Sequence, residues 1–203
     1  MVLDMSRRLI IILILIVVAI LVSIVFYMFL FKPVHEVYPS PIRELIMGKQ
    51  GSIRVWSPAF SNGSRIPSQY TCDGIDESFP LRIENISENT RSLLLIMYDP
   101  DAPHGVFYHW ILYNIPPNTT QIPENIPKTP ITKYGLQGRN NFGKIGYGGP
   151  CPPRGFGSHR YYIIVLALNT KLKLPPGANI NEVIDEAKNH VIAYGVYMGR
   201  YSR

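Results

Sequence analysis

Four short segments of the 203-residue chain hold most of the side chains able to do chemistry. They are Thr71-Cys72-Asp73-Gly74, then Asp99-Pro100-Asp101-Ala102-Pro103, then His109-Trp110, and finally Gly148-Gly149-Pro150-Cys151-Pro152-Pro153, which leads on to His159-Arg160-Tyr161. Asp99 and Asp101 can accept hydrogen bonds from loop amides or from imidazole N–H groups. The prolines around them restrict φ and remove backbone donors, so this loop keeps a fixed path. An Asp-Pro turn alone says little. A single histidine in an apolar strand is usually a satisfied core residue. His109 inside one apolar run and His159 at the start of another, with two aspartates near strand ends, point instead to a shared site. A carboxylate bonded to one imidazole nitrogen fixes the tautomer and raises the pKa, and the outer N–H can then meet an anion. The glycines of 148–157 let backbone N–H groups approach a ligand closely, and the prolines make that wall rigid.

The elements that must position these groups read mostly as strands. Residues 52–56 and 79–86 alternate apolar and polar side chains. The runs 91–98, 106–115 and 160–168 are continuously apolar or aromatic and bounded by Pro, Gly, Asn and Asp, as expected of sandwich-core strands. Two packed sheets would supply their burial, so the fold class is all-β, a two-sheet antiparallel sandwich with a few short helices. The spacing of Ile180, Val183, Ile184, Ala187 and Val191 predicts a helix over 180–193. Asn179 or Asn181 would cap it, Gly195 would end it, and a strand over 196–201 would close the sheet. Residues 116–157, rich in Pro and Gly, read as a long ordered loop, and such loops usually carry function.

Ahead of this domain lies an uncharged apolar stretch. Residues 9–31 would span roughly 34 Å as a helix, enough for a hydrocarbon core of about 30 Å. The stretch is too long for a signal peptide, and it ends in Tyr27, Met28, Phe29, Leu30 and Phe31, which suit cleavage poorly. The expected organisation is a cytoplasmic tail at 1–8, a transmembrane anchor at 9–31, a proline-stiffened linker at 32–50 with a helical turn over 42–47, and one domain at 51–203. Arg7 and Arg8 before the span favour a cytoplasmic N-terminus. Acceptor patterns at Asn62, Asn85 and Asn118 lean the same way, giving a single-pass cell-membrane protein with its domain outside. In that compartment Cys72 and Cys151 can pair, and two buried thiols are the competing reading. The net charge of +6 comes from scattered Lys and Arg, with no dense basic run and no nucleic-acid motif, so no nucleic-acid partner is expected.

The order DPDAP, His-Trp, GYGGPCPPRG and HRY resembles the phosphatidylethanolamine-binding protein family, which includes the Raf kinase inhibitor proteins. TCDG with HW and GPCPP is similar to its bacterial and archaeal branch. The likeness covers roughly residues 51–203. It implies a two-sheet sandwich with a pocket at one end for a phosphate or phosphate-like headgroup. Carried over position by position, the pocket would comprise Asp99, Asp101, Pro103, His109, Gly149, Cys151, His159 and Tyr161. Cys151 stands where eukaryotic members have glycine, and Phe107 and Tyr108 depart from their pattern before His109.

Two functions compete. One is a binding or regulatory module, anchored in a membrane, that takes a phosphate-like ligand or lipid headgroup, or inhibits a partner enzyme such as a protease. The other is a hydrolase in which Asp99, Asp101, His109 and His159 hold a metal or run acid–base chemistry. No HExxH or GxSxG signature is present, and Ser158 and His159, adjacent in a strand, would face opposite sides. A non-enzymatic protein without cofactor or metal is therefore the expectation.

Overall fold

The computed structural model describes residues 10–23 and 38–203. The chain divides into two compact units, Met1–Val37 and Tyr38–Arg203. In the first, residues 10–23 form helix α1. Among the described residues, no helix is long and apolar enough to cross a membrane. The expected transmembrane helix, and with it the single-pass cell-membrane placement and outside domain, is corrected accordingly. The remainder of the 9–31 span and the 1–8 tail lie outside the described residues.

The second unit starts earlier than the expected boundary at residue 51. Helix α2, Ser40–Ile46, buries Ile42 and Leu45 completely and Ile46 almost so. It packs on helix α3 (Ile180–Ala187) and on β9 (Val191–Tyr201), so what reads as linker is part of the core.

The unit is built on two antiparallel sheets. The smaller joins β1 (Arg54–Trp56), β2 (Leu81–Glu84) and β5 (Gln121–Ile122) in the order β1-β2-β5. The larger has the order β6-β7-β4-β3-β8-β9, with β3 at Ser92–Asp99, β4 at Phe107–Ile115, β6 at Ile131–Thr132, β7 at Gly135–Gln137 and β8 at His159–Leu168. Every residue of β3 is buried, which explains its unbroken apolar run: both faces of a central strand are covered. Val55, Leu81 and Ile83 of the small sheet meet Leu93, Leu95, Met97, Trp110, Leu112, Ile163 and Val165 of the large one in a single core. The expected long loop at 116–157 is instead interrupted by β5, β6 and β7.

The C-terminal reading needs a second correction. Helix α3 starts where expected, with Asn179 and Glu182 forming a reciprocal capping box. It stops at Ala187, and β9 begins at Val191, pairing with β8 from Leu168 to His159. Gly195 is no helix stop. A Cβ there would lie 2.2 Å from the Ile53 carbonyl oxygen, so glycine is what lets the 50–53 segment run alongside β9.

Candidate functional site

Antiparallel pairing brings the end of β3 beside the starts of β4 and β8. Tyr98 pairs with Tyr108 on one side and with Tyr162 on the other, so Asp99, His109 and His159 gather at one end of the sandwich. Side chains alternate along a strand, which places His159 and Tyr161 on one face of β8 and Arg160 on the other. On β4 the pairing slips at His109, between Tyr108 and Trp110, and the Phe107 and His109 rings lie 4.9 Å apart.

These faces open on a cavity of about 370 Å³, whose walls include Asp99, Pro103, His109, Cys151, His159 and Tyr161. Six of the eight residues expected from the sequence thus share one space. Asp101 and Gly149 do not line it. Asp101 follows Arg160 to the other face of β8: its carboxylate accepts from the Arg160 backbone N–H at 2.9 Å, from Nε at 2.8 Å and from Nη2 at 2.5 Å. Burial pushes the Asp101 pKa up, and the Arg160 bonds outweigh it and hold the carboxyl below its usual range. Gly149 belongs to the far side of the wall. Its N–H donates to Asp76 Oδ1 at 2.6 Å, and a Cβ would strike the Tyr70 carbonyl oxygen at 2.4 Å.

The polar groups inside are held rigidly. His159 Nδ1 lies 2.8 Å from Asp99 Oδ2, while Asp99 Oδ1 accepts the Asp101 N–H at 2.8 Å. Burial raises the Asp99 pKa, against the lowering effect of its bond to His159. His109 donates from Nδ1 to the Gly148 carbonyl oxygen at 2.8 Å. Burial pulls its pKa down to about 4, more than the Gly148 and Gly149 backbone raises it. His109 is therefore neutral at pH 7. The Tyr161 hydroxyl is buried beside the Asp99 carboxylate without a well-aligned hydrogen bond, and burial together with Asp99 raises its pKa.

The proline wall is fastened from behind. Cys72 and Cys151 form a disulfide with Cα atoms 5.4 Å apart, and the Cys72 N–H donates to the Pro150 carbonyl oxygen. Asp73 accepts from the Tyr201 hydroxyl at 2.8 Å and from Arg203 Nε at 2.9 Å, which ties the TCDG loop to the end of β9.

Sequence reasoning missed the apolar part of the lining, chiefly Phe107, Phe142 and Val106. Phe142 reaches the site because Asn140 Oδ1 accepts from the backbone of Phe142 and Lys144, and Asn141 brackets Tyr108 with two hydrogen bonds. The Phe142 ring then lies 4.6 Å from Phe107 and 5.5 Å from His109. The Asn-Asn-Phe-Gly run was the available signal for this turn. Among the described residues, no three His, Cys, Asp or Glu side chains are grouped to hold a metal ion. The side chains of Asn62, Asn85 and Asn118 all belong to exposed residues.

Comparison with known proteins adds four observations. The family model described as phosphatidylethanolamine-binding protein matches residues 56–202. A UPF0098 protein of Pyrococcus horikoshii is 52% identical over 152 residues, covering 72% of this chain and 75% of that protein. A UPF0098 protein of Aquifex aeolicus is 47% identical over 152 residues, covering 74% and 89% respectively. Among solved structures, a phosphatidylethanolamine-binding protein homologue from Chlamydia trachomatis superimposes with a TM-score of 0.69 at 34% identity, covering 76% of this chain and 99% of that one.

Proposed function

The chain belongs to the phosphatidylethanolamine-binding protein family, and from that premise we propose that its cavity binds a phosphate group or a phosphorylated headgroup, making the protein a non-catalytic binding or regulatory module. One observation carries this reading. The Tyr161 hydroxyl is buried beside Asp99 without a well-aligned hydrogen bond, in a cavity it shares with His109 and His159, and a buried polar group so poorly paired is costly unless a ligand satisfies it. The apolar collar of Phe107, Phe142 and the prolines excludes water around such a contact.

Binding without catalysis fits the lining. Among the described residues it contains no serine, threonine or lysine, and its one cysteine is bonded to Cys72. Of the other possible nucleophiles, Asp99 is held by His159 and by the Asp101 N–H, and burial keeps the Tyr161 phenol protonated, so neither is set up to attack. Two or three charge-assisted hydrogen bonds of about 1.5–3 kcal/mol each correspond to a Kd on the order of micromolar to millimolar.

Calorimetry of the full chain with phosphate and phosphoethanolamine tests the proposal. Saturable binding at a single site is expected. Affinity left unchanged by His109→Ala and by His159→Ala refutes it.

A further inference from the structure

The Cys72–Cys151 disulfide lies between two open spaces. Cys151 is part of the wall of the larger cavity, of about 370 Å³. Both cysteines also line a second cavity of about 140 Å³ on the other side of that wall, with Asp76, Lys144 and Tyr147. The bond is thus a partition that solutes can approach, not a staple sealed in packed hydrocarbon. Cys72 is an exposed residue and Cys151 a half-buried one, so an entering solute meets Cys72 first.

The charges beside the two sulfurs differ. Arg203 Nη1 lies 3.5 Å from Cys151 Sγ, and Nε of the same guanidinium is fixed at 2.9 and 3.1 Å from the two oxygens of Asp73. Asp73 directly follows Cys72. Hydrogen bonds from Tyr201 and Arg203 hold its carboxyl below the usual range, so it stays charged. A guanidinium favours the thiolate form of a neighbouring cysteine, whereas a carboxylate opposes it. Cys151 is therefore the better leaving thiolate. In thiol–disulfide exchange the thiol of lower pKa leaves faster, and access selects the sulfur that is attacked. Both criteria give the same direction here: attack at Cys72 and departure of Cys151.

We propose that this disulfide is a thiol-exchange site through which a low-molecular-weight thiol resets the wall of the larger cavity. The incoming thiolate enters by the smaller cavity and attacks Cys72 Sγ. A new S–S bond forms between the two, the Cys72–Cys151 bond breaks, and its electron pair leaves on Cys151 Sγ beside Arg203. A second small thiolate then attacks the sulfur bound to Cys72, which departs as a thiolate in turn. Two small thiols have become one disulfide, and two electrons have passed to the protein. The protons that the small thiols release reach the protein sulfurs through water. Once the bond is open, Cys151 and the 72–75 loop can part. Other ties keep the wall in the fold: the Cys72 N–H donates to the Pro150 carbonyl oxygen, the Gly149 N–H to Asp76, and the Tyr147 hydroxyl to the Tyr70 carbonyl oxygen. The exchange changes the side of the cavity that faces the imidazoles without releasing the domain. It does not rest on which ligand the cavity takes.

Glutathione added to the folded full chain, with iodoacetamide present to cap the sulfur released, tests the chemistry. Peptide mass spectrometry should find glutathione on Cys72 and the cap on Cys151. The exchange rate should fall at least about threefold in Arg203→Gln, because the leaving thiolate loses its cation. Should that variant not fold, the peptide map of the unaltered protein decides the point alone. The effect on the cavity is read with no ligand present. After reduction by dithiothreitol the His109 and His159 ring signals should move in the NMR spectrum, while His190, which bonds Asn169, stays still. A bond that yields only once the chain is denatured overturns the proposal, as does glutathione on Cys151 or shared evenly between the two. An Arg203→Gln rate equal to that of the parent, or cavity histidines indifferent to reduction, overturns it as well. So does loss of the folded spectrum on reduction, because the bond would then be structural. Phosphate affinity of the oxidised protein enters none of these readings, so either proposal can fail without the other.

Discussion

At the scale of single residues, burial gives His109 a measurable signature in folding. Its folded pKa of about 4 lies below the usual value of 6.5, so the unfolded chain takes up this proton first as pH falls. Stability from this group is complete above pH 6.5 and is lost as pH drops towards 4. The loss is on the order of 3 kcal/mol. Denaturant unfolding at pH 7 and at pH 4.5 should show a smaller drop in His109→Gln than in the parent, and equal drops would contradict the assignment. Tyr161→Phe removes a poorly paired buried hydroxyl, so it should change stability by less than about 1 kcal/mol and weaken phosphate binding several-fold. Asp99, His109 and His159 were legible as candidates because they fall in or at the ends of apolar runs, and Tyr161 only through the family resemblance. Asp101 and Gly149 were not legible in the same way. Their side of the wall is decided by Arg160 and Asp76, which no pattern within their own segments indicates.

At the scale of elements, the two ends of α3 teach different lessons. Asn179 and Glu182 stand three apart, and their capping box forms as local chemistry dictates. Asn179→Ala should cost about 1 kcal/mol in unfolding free energy. The C-terminal end was misread because Val191 continues the helical spacing, yet ten residues of β9 find partners on β8 and the sheet wins. Tertiary pairing of this kind overrides local propensity. The disulfide acts on the site as well as on the fold. It closes a loop of 79 residues, so replacing both cysteines with alanine should cost about 4 kcal/mol by loop-closure entropy. Because Cys151 is itself part of the cavity wall, the same double variant should also bind phosphate more weakly, as calorimetry below its melting temperature would show.

At the scale of the whole molecule, the sheets were legible as buried runs, whereas the domain boundary was not. The Pro-rich stretch before residue 51 looked like a stalk because α2 is only seven residues long, too short for a convincing periodic pattern. Its three buried side chains make it structural. A fragment starting at Gly51 should be less stable than one starting at Tyr38 by on the order of 5 kcal/mol, from the lost burial of Ile42, Leu45 and Ile46. At its open end the sandwich holds two imidazoles and a phenol at fixed places, and the proposed function puts a small anion among them. Phosphate titration followed by histidine NMR tests this most directly, because the chain supplies its own control in His190, which bonds Asn169 away from the cavity. The His109 and His159 ring signals should shift together along one binding curve while His190 stays still. Shifts confined to His190, or a cavity pair that ignores phosphate, would contradict the account.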